Sequence, residues 1–245
     1  MKKYRSLFNI HTAVILGLSL LSSFICLLYA LKLYIDFLIL SIIIVFPITL
    51  TIRESLRCRE RALQYLCSLK ANLQAMVYCV EADGLAEKDK WHFKRIVAAA
   101  SACLCEDLKQ PSLDAANIKQ ASGTIVSFIQ LRKKDLKNSL TNRLLSIYAK
   151  VDESVEYLLS TKRHHTPAAM HLMVLIAIYF FSAFYPASVL YKGANIVFWH
   201  LAALTAFKST LLITFYNVQS LLEDAFNPKS PDAIRLDDFK YREEQ

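Results

Sequence analysis

Glycine and proline are scarce in this 245-residue sequence, at four and six residues respectively. Tight hairpin turns depend on those residues, so a β-architecture of many short strands is excluded and a nearly all-helical chain is predicted. Alternating apolar and polar runs separated by turn pairs are also missing, which argues against an outer-membrane barrel. There is no glycine-rich phosphate loop, no His-Glu-x-x-His and no nucleophile elbow, so no catalytic residue is proposed, the chain does not read as an enzyme, and no cofactor is expected. Cysteine is present but not in a metal-binding pattern. Cys103 and Cys105, with His92 nearby, lack the spacing and the ligand number of a structural zinc site. These two, with Cys58, Cys67 and Cys79, lie in a segment predicted to be cytosolic, where reducing conditions disfavour disulfides. They read as ordinary helix cysteines, and no metal is expected.

The sequence does have apolar residues in long runs. Hydrophobic residues make up 55% of the chain and the mean hydropathy is +0.31. A hydrocarbon core of about 30 Å is spanned by about 20 apolar residues of helix. Two blocks meet that length twice over, predicting transmembrane helices at about 12–31 and 33–52, then 168–191 and 194–222. The run that starts at Thr12 is long for a signal peptide and no small-residue cleavage site follows it before Lys32, so it reads as a span. Gly17, Ser19, Ser22 and Ser23 in the first span would permit close helix contact. Pro47 lies deep in the second, where it removes a backbone hydrogen bond.

Net charge is +8, and its placement gives a topology. Lys2, Lys3 and Arg5 precede the first span; Arg53, Arg57, Arg59 and Arg61 follow the second; Lys162 and Arg163 precede the third. The turns between paired spans carry few charges. The positive-inside rule therefore predicts a multi-pass protein of the cytoplasmic membrane with both termini and residues 53–167 in the cytoplasm. That distribution accounts for the basic balance, and no nucleic-acid partner is expected. Apolar residues at Leu56, Leu63, Leu66, Leu73, Met76, Val77 and Val80 fall on one helical face, so the second span is predicted to run straight into a cytosolic helix. A further helix is expected over about 85–108, with Ser112 as N-cap of the next, and two helices over 113–159 divided near 137–141. The tail, 223–245, is expected to turn extended after Phe226. The whole chain, 1–245, reads as one membrane-associated helical domain.

Two features in the spans invite a functional reading. Ile44, Ile48 and Ile52 fall at i, i+4 and i+8, a stripe that several copies around an axis would stack into apolar rings able to gate by dewetting; lipid contact explains isoleucines in a span equally well. Lys208 lies mid-span in the fourth helix, where an ionisable group is costly and faces a partner or water. It could pair with Asp36 or attract anions into an aqueous vestibule. His164 and His165 read first as part of a solvated basic stop before the third span.

The sequence Leu221, Leu222, Glu223, Asp224, Ala225, Phe226, Asn227 resembles the acidic-then-Pro-Phe-Gly segment that closes the last membrane helix of bestrophin channels. The arginine-rich continuation from Ile52 through Arg53, Glu54, Ser55, Leu56, Arg57, Cys58 and Arg59 resembles that family's exit from its second span. Residues 157–161 leading to Thr166 and Pro167 resemble its approach to the third. The resemblance covers nearly the whole chain in order. It implies a homopentamer in the lipid bilayer, all-α, with a helical cytosolic layer, passing small inorganic ions and most often anions such as chloride. It implies a neck at three apolar residues of the second span, which by position are again Ile44, Ile48 and Ile52, and a cytosolic aperture near His165 and Thr166, where a ring of imidazoles could make conductance pH-sensitive. Arg53, Arg57 and Lys208 would supply charge near the ion path. The acidic cluster that binds calcium in animal members is not matched: Pro228, Lys229 and Ser230 stand there, and a hard cation needs several oxygen ligands. The contrasting reading is a non-conducting helical membrane scaffold or receptor whose basic cytosolic layer binds a partner or anionic lipid.

Overall fold

A computed structural model describes residues 9–110, 114–163, 168–191, 197–227 and 233–241. Seven α-helices follow in order: α1 Ile10–Leu28, α2 Phe37–Glu81, α3 Glu87–Lys109, α4 Ala115–Leu131, α5 Asn138–Arg163, α6 Ala168–Tyr191 and α7 Phe198–Glu223. No strand occurs among the described residues. The chain divides into two compact units, one of residues 1–56 with 166–223 and one of residues 57–165 with 224–245. Helix α2 contributes to both.

The first unit contains the helices long and apolar enough to cross a membrane: α1, the leading part of α2, α6 and α7. The second span does continue without a break: α2 is 45 residues, roughly 68 Å at 1.5 Å per residue, more than twice the thickness of a hydrocarbon core. Helix α1 packs against α6 and α7 through one stripe, Thr12, Ile15, Ser19, Ser22, Ser23 and Cys26. Gly17 is not part of it; a Cβ there would meet nothing within 4 Å. The other face of α1, with Ile10, Val14, Leu21 and Phe24, is apolar and exposed, as befits a helix meant for lipid.

Several polar side chains inside this unit are tied across helices, where hydrocarbon offers no water. Asn217 of α7 donates to Thr12 of α1 at 3.1 Å, and His11 Nδ1 meets the Tyr179 hydroxyl of α6 at 3.0 Å. Ser22 donates to the carbonyl of Ala183, three residues before Pro186, which lies inside α6. Aromatic edges close the gap between α2 and α6: Phe37 meets Phe181 and Tyr185 with ring centroids 5.3 and 5.4 Å apart and nearly perpendicular planes.

The second unit is a helical core that buries most of the expected face of α2, although Leu63 is only partly buried and Leu56 is exposed. Leu66, Leu69, Leu73, Met76, Val77 and Val80 line the buried face of α2 and cluster with Phe93 and Val97 of α3, Ile125 of α4 and Val155 of α5. The side chain that caps α4 is Asp114, accepting from the amides of Ala116 and Asn117 at 3.1 and 3.2 Å; the expected cap, Ser112, lies outside the described residues. The tail is mostly non-helical over 233–241, with one 3-10 turn at Leu236–Asp238. It is clasped to the unit. Ile234 donates its amide to the Ala225 carbonyl at 3.1 Å, Leu236 is buried, Lys109 grips Asp237 at 2.7 and 2.8 Å, and Tyr241 donates its amide to Ser101 Oγ at 3.0 Å.

Hydrogen bonds from Lys109, and then Lys240, hold the Asp237 carboxyl below its ordinary value. A depressed carboxylate contributes its share above the unfolded value of about 3.9 and loses it as pH falls through the folded value. Lys109→Met should therefore raise hydrogen exchange of the 233–241 amides several-fold at neutral pH and leave the α3 core unchanged. In the unaltered protein the same loosening should come only with acid; its onset above about pH 5 would contradict the clasp.

Candidate functional site along the second helix

Helix α2 has two faces in the membrane unit, and the structure assigns them opposite to expectation. Ile44 and Ile48 are 0% and 2% exposed, packed against Ile15, Val174, Ile178 and Ile213, with Ile52 partly buried against the same cluster. Within the protomer Ile44 and Ile48 are thus packing residues. The opposite face is free: Ile42, Phe46 and Leu50 are 56%, 62% and 47% exposed. They too fall at i, i+4 and i+8. Arg53 follows on the same face and is exposed; Arg57 is exposed one turn further on and has a partner of its own.

Pro47 lies between the two faces and cannot donate to the Ile43 carbonyl. One turn later the Thr51 hydroxyl donates to the carbonyls of Pro47 and Ile48 at 3.0 and 2.9 Å, so the helix past the proline carries an extra hydrogen bond in a region without water.

Lys208 finds a phenol. Its ammonium donates to the Tyr185 hydroxyl at 2.6 Å and lies 4.6 Å from the ring centroid. Asp36, its expected partner, instead caps the start of α2, its Oδ1 accepting from the Leu38 amide at 3.0 Å. Both residues line one cavity of about 700 Å³ together with Tyr34, Ser41, Phe181 and Ser188. The sequence offered only the anomaly of a charge within a span; that Tyr185, 23 positions away, would take it has no local signal.

The expected aperture residues, His165 and Thr166, and the tail positions 228–232 lie outside the described residues. The segment from Leu221 to Asn227 is described, and its acidic residues are structural. Glu223 accepts from or shares a proton with His171 Nε2 of α6 at 2.8 Å. Asp224 pairs with Lys162 at 2.8 Å, the lysine side chain being 5% exposed, while its other oxygen caps the Phe226 amide at 3.0 Å. Phe226 is buried in the core of the second unit. Among the described residues no group of three or more His, Cys, Asp or Glu is placed to hold a metal. Cys103 donates to Asp107, and burial pushes the Cys105 thiol up to about 11.

Neither a known family profile nor a curated protein matches the sequence. Solved structures do share the fold. A bestrophin homologue from Klebsiella pneumoniae, phased on zinc, superposes with a TM-score of 0.77 at 15% identity, covering 93% of this chain and 93% of that one. The same homologue with a tryptophan-to-alanine substitution gives 0.78 at 14% identity over 93% and 92%. A structure described as a membrane protein with a proline-to-alanine substitution gives 0.78 at 13% identity over 94% and 95%. The chain is a multi-pass membrane protein with a bestrophin-like fold; among the described residues the regular structure is helical and four helices are fit to span a bilayer.

Lys162→Met would leave Asp224 without its buried cation. With Asp224 27% exposed, the loss should be about 2 kcal/mol, below the range for a fully buried pair. Chemical denaturation in detergent should show it, and Asp224→Asn on top should recover part. Maleimide labelling at neutral pH should reach exposed Cys67 well before Cys105, since the thiolate is the reacting form.

Proposed function

We propose that this protein is an ion channel: a ring of copies, five by the expectation drawn from the fold, encloses a passive path lined by the exposed face of α2. The observation that carries this reading is the sequence of residues on that face. Ile42, Phe46 and Leu50 stand clear of the protomer and lead directly to Arg53 and Arg57. Repeated around an axis, the first three form stacked apolar rings that admit an ion only when wetted, and the arginines form cationic rings at the inner mouth. A ring of positive charge in a confined path concentrates anions, so chloride is the proposed permeant ion. The bestrophin-like fold supports the assembly. The basic flanks support a cytoplasmic-membrane location with both termini inside.

Planar-bilayer recordings under a potassium chloride gradient test the proposal. The reversal potential should approach that of chloride, and Phe46→Ala should raise unit conductance because a wider, less apolar ring wets more readily. Arg53→Gln should move the reversal potential toward zero. Ile48→Ala, inside the protomer, should lower stability by about 2 kcal/mol or more with little change in selectivity. A monomeric mass in detergent, or conductance indifferent to Phe46 and Leu50, would overturn the reading.

A further inference from the structure

We propose that the cavity bounded by the first turn of α2, the last turns of α6 and the first half of α7 is a binding site for a small monovalent anion, held by Lys208 and Tyr185. Lys208 is an ammonium in a membrane-spanning helix whose polar contact is a phenol and not a carboxylate. Such a charge is costly to leave uncompensated. Of its three N–H donors one is used by Tyr185. The Tyr185 oxygen accepts that bond, which leaves its own O–H to donate. Two neighbouring hydroxyls are already spent: Ser41 donates to the Phe37 carbonyl at 2.6 Å and Ser188 to the Ile35 carbonyl at 3.2 Å, while Tyr34 lines the same cavity. The Lys208 ammonium and the Tyr185 hydroxyl thus present convergent, unspent donors to one space.

That space suits an ion that keeps part of its water. At about 700 Å³ it is far larger than a bare halide, so water completes the coordination and binding is weak, in the millimolar range. Tyr185 is 8% exposed, and its ring is stacked on Phe181 at 4.9 Å and met edge-on by Phe37. The phenol is therefore fixed in place, and it in turn positions the ammonium. Asp36 lines the same cavity and opposes an anion by its charge, which keeps occupancy reversible. The role of such a site as an anion-collecting vestibule rests on the channel reading; the binding itself does not.

Bromide binding to the full-length protein in detergent, followed by the line width of bromide in nuclear magnetic resonance, tests the site without requiring conduction. Excess broadening is expected in the unaltered protein. Lys208→Met should weaken the apparent affinity by about tenfold or more, the loss of a charge-assisted contact, and Tyr185→Phe by about fivefold, the loss of a neutral one. Lys208→Arg should retain binding, which separates loss of charge from loss of fold. Asp36→Asn should tighten binding while the amide oxygen still caps α2. Broadening that is absent from the unaltered protein, or that survives both Lys208→Met and Tyr185→Phe, overturns the proposal. Binding in a protein that carries no current would sustain this site and refute only the channel.

Discussion

The membrane unit is governed by one constraint: a hydrocarbon core has no water to satisfy a polar group. Most of the described polar side chains in the spans are turned toward another helix or back onto their own; the buried Ser209 hydroxyl and the Gln219 carboxamide oxygen are exceptions. Asn217 reaches Thr12, His11 reaches Tyr179, His171 reaches Glu223 and Lys208 reaches Tyr185. Serines and threonines on helices return to the preceding turn, as Ser23 does to the Ser19 carbonyl at 2.7 Å. Between apolar helices in lipid there is no hydrophobic driving force, so these bonds, together with close packing, set which helix faces which.

The same constraint explains why α2 can serve two environments in one uninterrupted helix. Its backbone hydrogen bonds are internal along the whole length except at Pro47, where Thr51 adds a side-chain bond to the following turn. Beyond the membrane unit the helix exchanges lipid-compatible faces for an ordinary amphipathic pattern, with Leu66, Leu69, Leu73 and Met76 buried and Arg61, Gln64 and Lys70 exposed. Stability in the second unit comes from this core, and the clasped tail covers part of it through Leu236 and Ile234.

Periodicity located the elements well and the faces poorly. The break at Gly84, the divide near residue 137 and the run of the second span into the cytosolic helix all follow from turn residues and apolar spacing. The bestrophin-like order of segments rests instead on the resemblance of residues 52–59, 157–167 and 221–227 to that family. The stripe Ile44, Ile48 and Ile52 shows why faces are harder to read than elements. In water an amphipathic helix announces its buried side, because polar residues mark the other. In a span both sides are apolar, so a stripe of isoleucines at i, i+4 and i+8 carries no sign. Ile44 and Ile48 had the regular spacing; Ile42, Phe46 and Leu50 have it equally. The acidic pair Glu223 and Asp224 was legible as a motif, but not as the two separate bonds it makes.

Composition and order of residues by themselves determined that the chain is helical, that it spans a membrane four times and that a basic helical layer follows the second span. These properties depend on hydropathy and local spacing, which each segment carries alone. Only the tertiary structure decided that Ile44 and Ile48 are core, that the face of α2 bearing Phe46 is free, and that Lys208 shares a cavity with Tyr185 and Asp36. Those relations join residues from different helices, and their energies exist only once α2, α6 and α7 have packed.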